Sequence, residues 1–107
     1  MVASSETYAL MRLTIQSANE MPELAREVYE SGPNAARARL TEFLAAEHKA
    51  GRLNVPNPSE AAEFFAGMVS GHRQIRALMG QPPEVDADGL DRLAKECAYR
   101  FVRAYAP

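Results

Sequence analysis

The sequence predicts an all-α domain, and three observations carry that reading. Nineteen alanines stand against eleven β-branched residues (six Val, two Ile, three Thr), a balance that favours helix and leaves strands short of the residues they use. No segment sustains the apolar–polar alternation of a half-buried strand. Prolines and glycines fall where helices start and stop, and they divide the chain into five helical segments.

The first helix is expected over residues 5–20, with Ser4 or Ser5 as its N-cap and Glu6 in the first turn. Tyr8, Met11, Ile15 and Ala18 share one face, and Leu10 and Leu13 lie off it. A helix apolar on more than one side is usually surrounded by neighbours. Pro22 suits the first turn of a second helix over 23–31, which should bury Leu24 and Val28 and stop at Gly32. Pro33 opens the third helix, expected to turn Ala36, Leu40, Phe43 and Leu44 inward and to stop at Gly51. The connection over 52–57 offers Leu53 and Val55 as anchors, kept extended by Pro56. Asn57, Pro58 and Glu60 then combine a cap, a first-turn proline and a third-position acid. The fourth helix should run to Met79 and end at Gly80. The fifth should be capped by Asp86 or Asp88 and continue to about Ala104.

Two of these helices are apolar over more than one side. On the fourth, Ala61, Phe65, Met68, His72, Ile75 and Met79 recur at helical spacing, and Phe64, Gly67, Gly71 and Leu78 form a second stripe. At ~100° per residue the stripes are centred roughly 100° apart. On the fifth, Leu90, Leu93, Cys97, Phe101 and Ala104 form a stripe that Ala94, Ala98, Val102 and Tyr105 widen. Either both faces pack within one chain, or one face of each helix meets a second copy in a dimeric four-helix bundle. The bare backbone at Gly67 and Gly71 suits a close approach by a partner helix.

Composition and motifs exclude several function classes. The chain has 107 residues, enough for one domain over 1–107, and its formal charge of −2 argues against a surface built to grip nucleic acid. No apolar run reaches the ~20 residues that span a bilayer. The Gly67-x-x-x-Gly71 spacing lies among Ser70, His72 and Arg73, which excludes membrane insertion. One cysteine permits no internal disulfide and fits a reducing cytoplasm. There is no HExxH, no CxxC and no pair of ExxH helices, so neither a metal nor a cofactor is expected, and no enzyme activity. Cys97 reads as a buried, inert thiol. Glu60 and Glu63 read as cap and solvated face, as do the basic clusters Arg37–Arg39 and Arg73–Arg76. His48, in the last turn of the third helix, reads as a solvated histidine favoured by the helix dipole. His72 interrupts an apolar stripe and is either a hydrogen-bonded core histidine or a polar contact in a ligand cavity.

Taken in order, the segments match a known pattern: Met21-Pro22-Glu23-Leu24, Tyr29-Glu30-Ser31-Gly32-Pro33, Ala38-Arg39-Leu40 with Phe43-Leu44, and Gly51-Arg52-Leu53 ahead of Asn57-Pro58 and Ala61-Ala62. Phe65, Met68 and Gly71 then lead to Ala77-Leu78-Met79-Gly80, and Phe101-Val102-Arg103-Ala104-Tyr105 follows. The chain resembles the C-terminal, ligand-binding and dimerisation domain of TetR-family transcriptional regulators, in particular the AefR-like subgroup. The resemblance implies a homodimer built by the last two helices, with Phe64, Gly67, Gly71, Leu78, Leu93, Cys97 and Phe101 at the interface. It also implies a cavity for a small, largely apolar effector. Helix-face geometry assigns that cavity to Tyr8, Met11, Ile15, Phe43, Phe65, Met68 and His72. TetR-like regulators begin with a helix-turn-helix domain that nothing ahead of Tyr8 could hold, so DNA would be reached only through a domain absent from this chain. The rival readings are a stand-alone helical dimerisation module without a cavity, and a small helical enzyme or carrier dependent on His72 or Cys97.

Overall fold

The structure, a computed structural model, describes residues 5–107, and Ser4, one of the two expected caps, lies outside them. The described residues form five α-helices and no strand: α1 (Ser5–Ser17), α2 (Pro22–Ser31), α3 (Pro33–Lys49), α4 (Pro58–Leu78) and α5 (Ala87–Ala104).

Local chemistry accounts for the boundaries. α1 stops three residues before the expected Glu20. The hydroxyls of Thr14 and Ser17 donate back to the carbonyls of Leu10 and Leu13 at 2.8 and 2.7 Å, which slightly destabilises a helix. Residues 18–20 then tighten into a turn, with the Glu20 and Met21 amides both donating to the Ser17 carbonyl. Met21, ahead of Pro22, leaves helical geometry (φ −130°, ψ 62°).

The ends of α3 and α4 are built alike. Gly51 and Gly80 adopt φ of 79° and 72°, where a Cβ would be strained. The following amides, of Arg52 and Gln81, reach back to the carbonyls of Glu47 and Arg76, while the glycine amides donate to His48 and Ala77. This double closure satisfies carbonyls that the helix leaves unpaired. At the helix starts, Asn57 Oδ1 accepts from the Glu60 amide at 3.2 Å, and Asp86 Oδ1 from the Gly89 amide at 2.8 Å. Of the two candidate caps of α5, Asp86 takes the role and Asp88 sits in the first turn.

The chain divides into two compact units. The first comprises residues up to Ala35 together with His72–Pro83; the second comprises Ala36–Gly71 with Glu84–Pro107. Within the first unit α1 packs on α2, and Arg12 Nη1 donates to the Ala77 carbonyl at 3.0 Å, placing a cation at the carbonyl end of α4. Among its described residues none is buried. The expected burial of Leu24 and Val28 therefore does not occur: Val28 is half-buried and Leu24 exposed.

The second unit owns the hydrophobic core. Leu44 of α3, Val55 of the connection, Ala61 and Ala62 of α4 and Phe101 of α5 are buried together, with Leu40, Leu53, Phe65 and Tyr105 packed around them. Three aromatic rings form its spine. Phe65 meets Phe101 edge-on at 5.0 Å between centroids, and Phe101 meets Tyr105 at 4.8 Å, separations at which aromatic pairs add to simple burial. The connection is fastened on both sides. The Asn54 amide donates to the Tyr105 carbonyl at 2.8 Å, and the Val55 amide donates to His48 Nδ1 at 2.9 Å. His48 is thus not merely solvated. Its Nδ1 accepts from the backbone of the connection, a partner that its place in the last turn of α3 did not signal.

Candidate functional site

The second unit carries an apolar recess of about 160 Å³. Burial orders its lining. Leu44 and Phe101 form the floor, both buried. Half-buried Leu40, Leu53 and Phe65 make the walls, and exposed Phe43, Ala98 and Val102 the rim. Each position follows from local structure. Leu40, Phe43 and Leu44 fall at helical spacing on α3, Ala98, Phe101 and Val102 do so on α5, and Leu53 is carried in by the fastened connection. No polar atom contributes to the lining, so the recess is apolar and offers nothing to a charge.

Charged groups stand outside it. Beside the connection, Arg52 donates from Nε and Nη2 to the Glu47 carboxylate at 2.7 and 3.1 Å. That hydrogen bonding holds the Glu47 carboxyl below its ordinary value and the Arg52 guanidinium above its own. On α5, Tyr99, Arg100, Arg103 and Ala104 border a shallow depression. There Arg103 lies 5.7 Å over the Tyr99 ring and Arg100 pairs with Glu96 at 2.9 Å.

The expected ligand residues do not share one unit. Tyr8, Met11, Ile15 and His72 belong to the first, and Phe43, Phe65 and Met68 to the second. Phe43 and Phe65 come together in the recess. Ile15 is 61% exposed, Met68 is exposed, and Tyr8 and Met11 are half-buried. His72 is exposed on α4, which corrects its reading as a core histidine. The apolar stripe of α4 is buried only near its start: Ala61 is fully enclosed, whereas Ile75 and Met79 face outward.

Of the expected interface residues, Phe64 is exposed, and a Cβ built on Gly67 or Gly71 would meet no atom within 4 Å. Leu78 and Leu93 are half-buried. Cys97, expected to be buried, is half-buried with its Sγ 3.6 Å from the Met68 carbonyl. Phe101 departs from the expectation. At 5% exposure it is the centre of the unit's own core, so its ring has almost no surface left for a second copy. Leu40, Leu44, Leu53, Ala98 and Val102 were not expected to line a recess, although the shared spacing of Leu40 with Leu44 and of Ala98 with Val102 marks two facing stripes. Arg12 carried no signal in the sequence, because its partner is a backbone carbonyl 65 residues away. Among the described residues no group of three or more His, Cys, Asp or Glu side chains could hold a metal ion, and no helix is long and apolar enough to cross a membrane.

Comparison with known proteins places this arrangement. The chain superimposes with a TM-score of 0.90 on a crystal structure, at 1.54 Å resolution, of a protein from Mesorhizobium loti MAFF303099 assigned to the TetR-family transcriptional regulators. The two are 25% identical, and the match covers 97% of this chain and 52% of the regulator, so the chain spans about half the length of that protein. No curated relative matches the sequence. The sequence profile of the AefR-like transcriptional repressor C-terminal domain matches residues 1–107. The chain belongs to the AefR-like family of TetR-type transcriptional repressor C-terminal domains.

Proposed function

We propose that this chain is the effector-sensing and dimerisation domain of a TetR-like transcriptional regulator, and that it takes a small, largely apolar ligand. The observation that carries the reading is a whole-chain family match on a domain that spends few of its large apolar side chains on its own core. Leu44, Val55 and Phe101 are the large buried ones, while Leu10, Leu13, Ile15, Phe43, Phe64, Met68, Ile75 and Met79 stay exposed among the described residues. Exposed apolar surface at this density marks an interaction surface. On α4, exposed Phe64 and Met68 flank Gly67, whose backbone is open to a neighbouring helix. This supports a homodimer built on α4 and α5.

In an intact regulator, a ligand that binds one arrangement of the dimer more tightly shifts the population toward it and so changes the spacing of the two DNA-reading heads. The heads themselves belong to a helix-turn-helix domain outside these 107 residues. No catalytic step is assigned to the chain, and its place is the cytoplasm. Thermal unfolding of the 107-residue chain against a panel of neutral hydrophobic compounds tests the sensing role. Binding to the folded state alone raises stability by about 2.7 kcal/mol at a hundredfold excess over Kd, so at least one compound is expected to raise the midpoint in a concentration-dependent way. No shift at saturating concentrations would contradict it.

A further inference from the structure

We infer that the recess of the second unit is itself a ligand subsite, for a compact uncharged hydrocarbon group the size of a single aromatic ring. The inference rests on the reading of the chain as a sensor domain and narrows it to one place and one chemistry. Its volume of about 160 Å³ leaves room for one ring, an apolar cavity of roughly 150 Å³ being enough to admit benzene. The lining offers no polar atom, and a water held there needs two or more polar partners. The recess therefore offers contact to hydrocarbon and no hydrogen bond to a heteroatom that loses hydration against it.

The site is also formed in advance. Leu53 is held in place by the hydrogen bonds of its neighbours Asn54 and Val55 and by the Arg52–Glu47 pair. The edge-on Phe65–Phe101 pair fixes the inner surface. A site whose walls are already ordered binds without the cost of ordering them. A partner helix is too large an occupant, because helix-in-groove recognition needs a run of anchors over two turns, whereas this recess accepts one ring. Because the rim at Phe43, Ala98 and Val102 is exposed, the rest of a larger ligand, including any polar end, would extend into solvent.

The experiment is a methyl-resonance titration of the 107-residue chain with benzene, and with pyridazine as a ring of the same shape bearing two acceptor nitrogens. Benzene is expected to shift the methyl signals of Leu40, Leu44 and Leu53 saturably, and pyridazine to leave them in place. Ala98→Phe, a change at an exposed rim position, fills the recess from its mouth and is expected to abolish the benzene shifts while the remaining methyl spectrum stays that of the folded chain. The absence of saturable shifts at these three leucines would overturn the subsite, as would shifts that Ala98→Phe leaves unchanged. Saturation confined to Leu10 and Leu13 of α1 would overturn the subsite and leave the sensor reading standing.

Discussion

The two units use similar sequence material to different ends. Both are helical, and both are rich in large apolar side chains. Yet the buried residues among those described, Leu44, Val55, Ala61, Ala62 and Phe101, all belong to the second unit. The first unit keeps Leu10, Leu13, Ile15, Ile75 and Met79 exposed, the last at 73%, and Arg12 ties α1 to the end of α4. The second unit buries part of its apolar residues as a core and keeps Phe43, Phe64, Met68 and Val102 exposed beside it. The first has no buried residue among those described, so its apolar side chains form no comparable core. Segments of low local stability are the ones that ligands and partners reorganise.

The largest effects should come from the second unit's core. Phe101→Ala removes the ring that joins Phe65 to Tyr105 and is expected to cost about 4 kcal/mol, and Leu44→Ala about 3 kcal/mol, measured by urea unfolding. Against a domain stability of about 5–15 kcal/mol, either change brings the chain near its folding threshold. His48→Ala is a middle case. It strips the Val55 amide of its acceptor and is expected to cost about 1 kcal/mol, with fast exchange of the Val55 amide hydrogen as the local readout. Ile15→Ala, a truncation of comparable chemistry in the first unit, is expected to change stability by no more than about 0.5 kcal/mol. A cost near that of Leu44→Ala would erase the contrast between the units.

The smallest effect concerns pH. Glu47 is held below its ordinary value chiefly by the Arg52 hydrogen bond, so the contribution is complete above the ordinary carboxylate range and is lost as pH falls through the lowered Glu47 value. Arg52 is exposed and Glu47 half-buried, so solvent screens the pair and the expected result is a slight loosening of the connection. It would be seen as loss of the Arg52 Nε–H signal on acidification, with no such change in Glu47→Gln, where that bond to a carboxylate is already absent.

The sequence disclosed most where the physics is local. Gly51, Gly80, Pro58, Asn57 and Asp86 act within a few residues of themselves, so the ends of α3 and α4 and the starts of α4 and α5 were legible to within a residue. The early end of α1 was not, because the back-bonding of Thr14 and Ser17 competes with the helix by a small margin. Burial was legible only in part. Periodicity put Ala61, Phe65, Met68 and Ile75 on one stripe, but only the neighbours of α4 decide how far along the helix that stripe is covered. Ala62 was missed for the same reason, being on neither stripe yet fully enclosed. Phe101 looked like interface because a stripe does not say which side of it the chain itself will cover. Of the expected ligand residues, Phe43 and Phe65 come together in the recess. The leucines and Val102 that complete it looked like ordinary core, since spacing cannot separate a filled core from a recess.

The measurement that bears most directly on the proposed role is sedimentation equilibrium of the 107-residue chain at micromolar concentration, alongside Phe64→Lys. Phe64 is exposed next to the open backbone of Gly67, so the lysine should leave the fold intact and place a charge in the subunit face. The account predicts twice 11.8 kDa for the parent chain and a folded monomer for the variant. A parent mass of 11.8 kDa would contradict it.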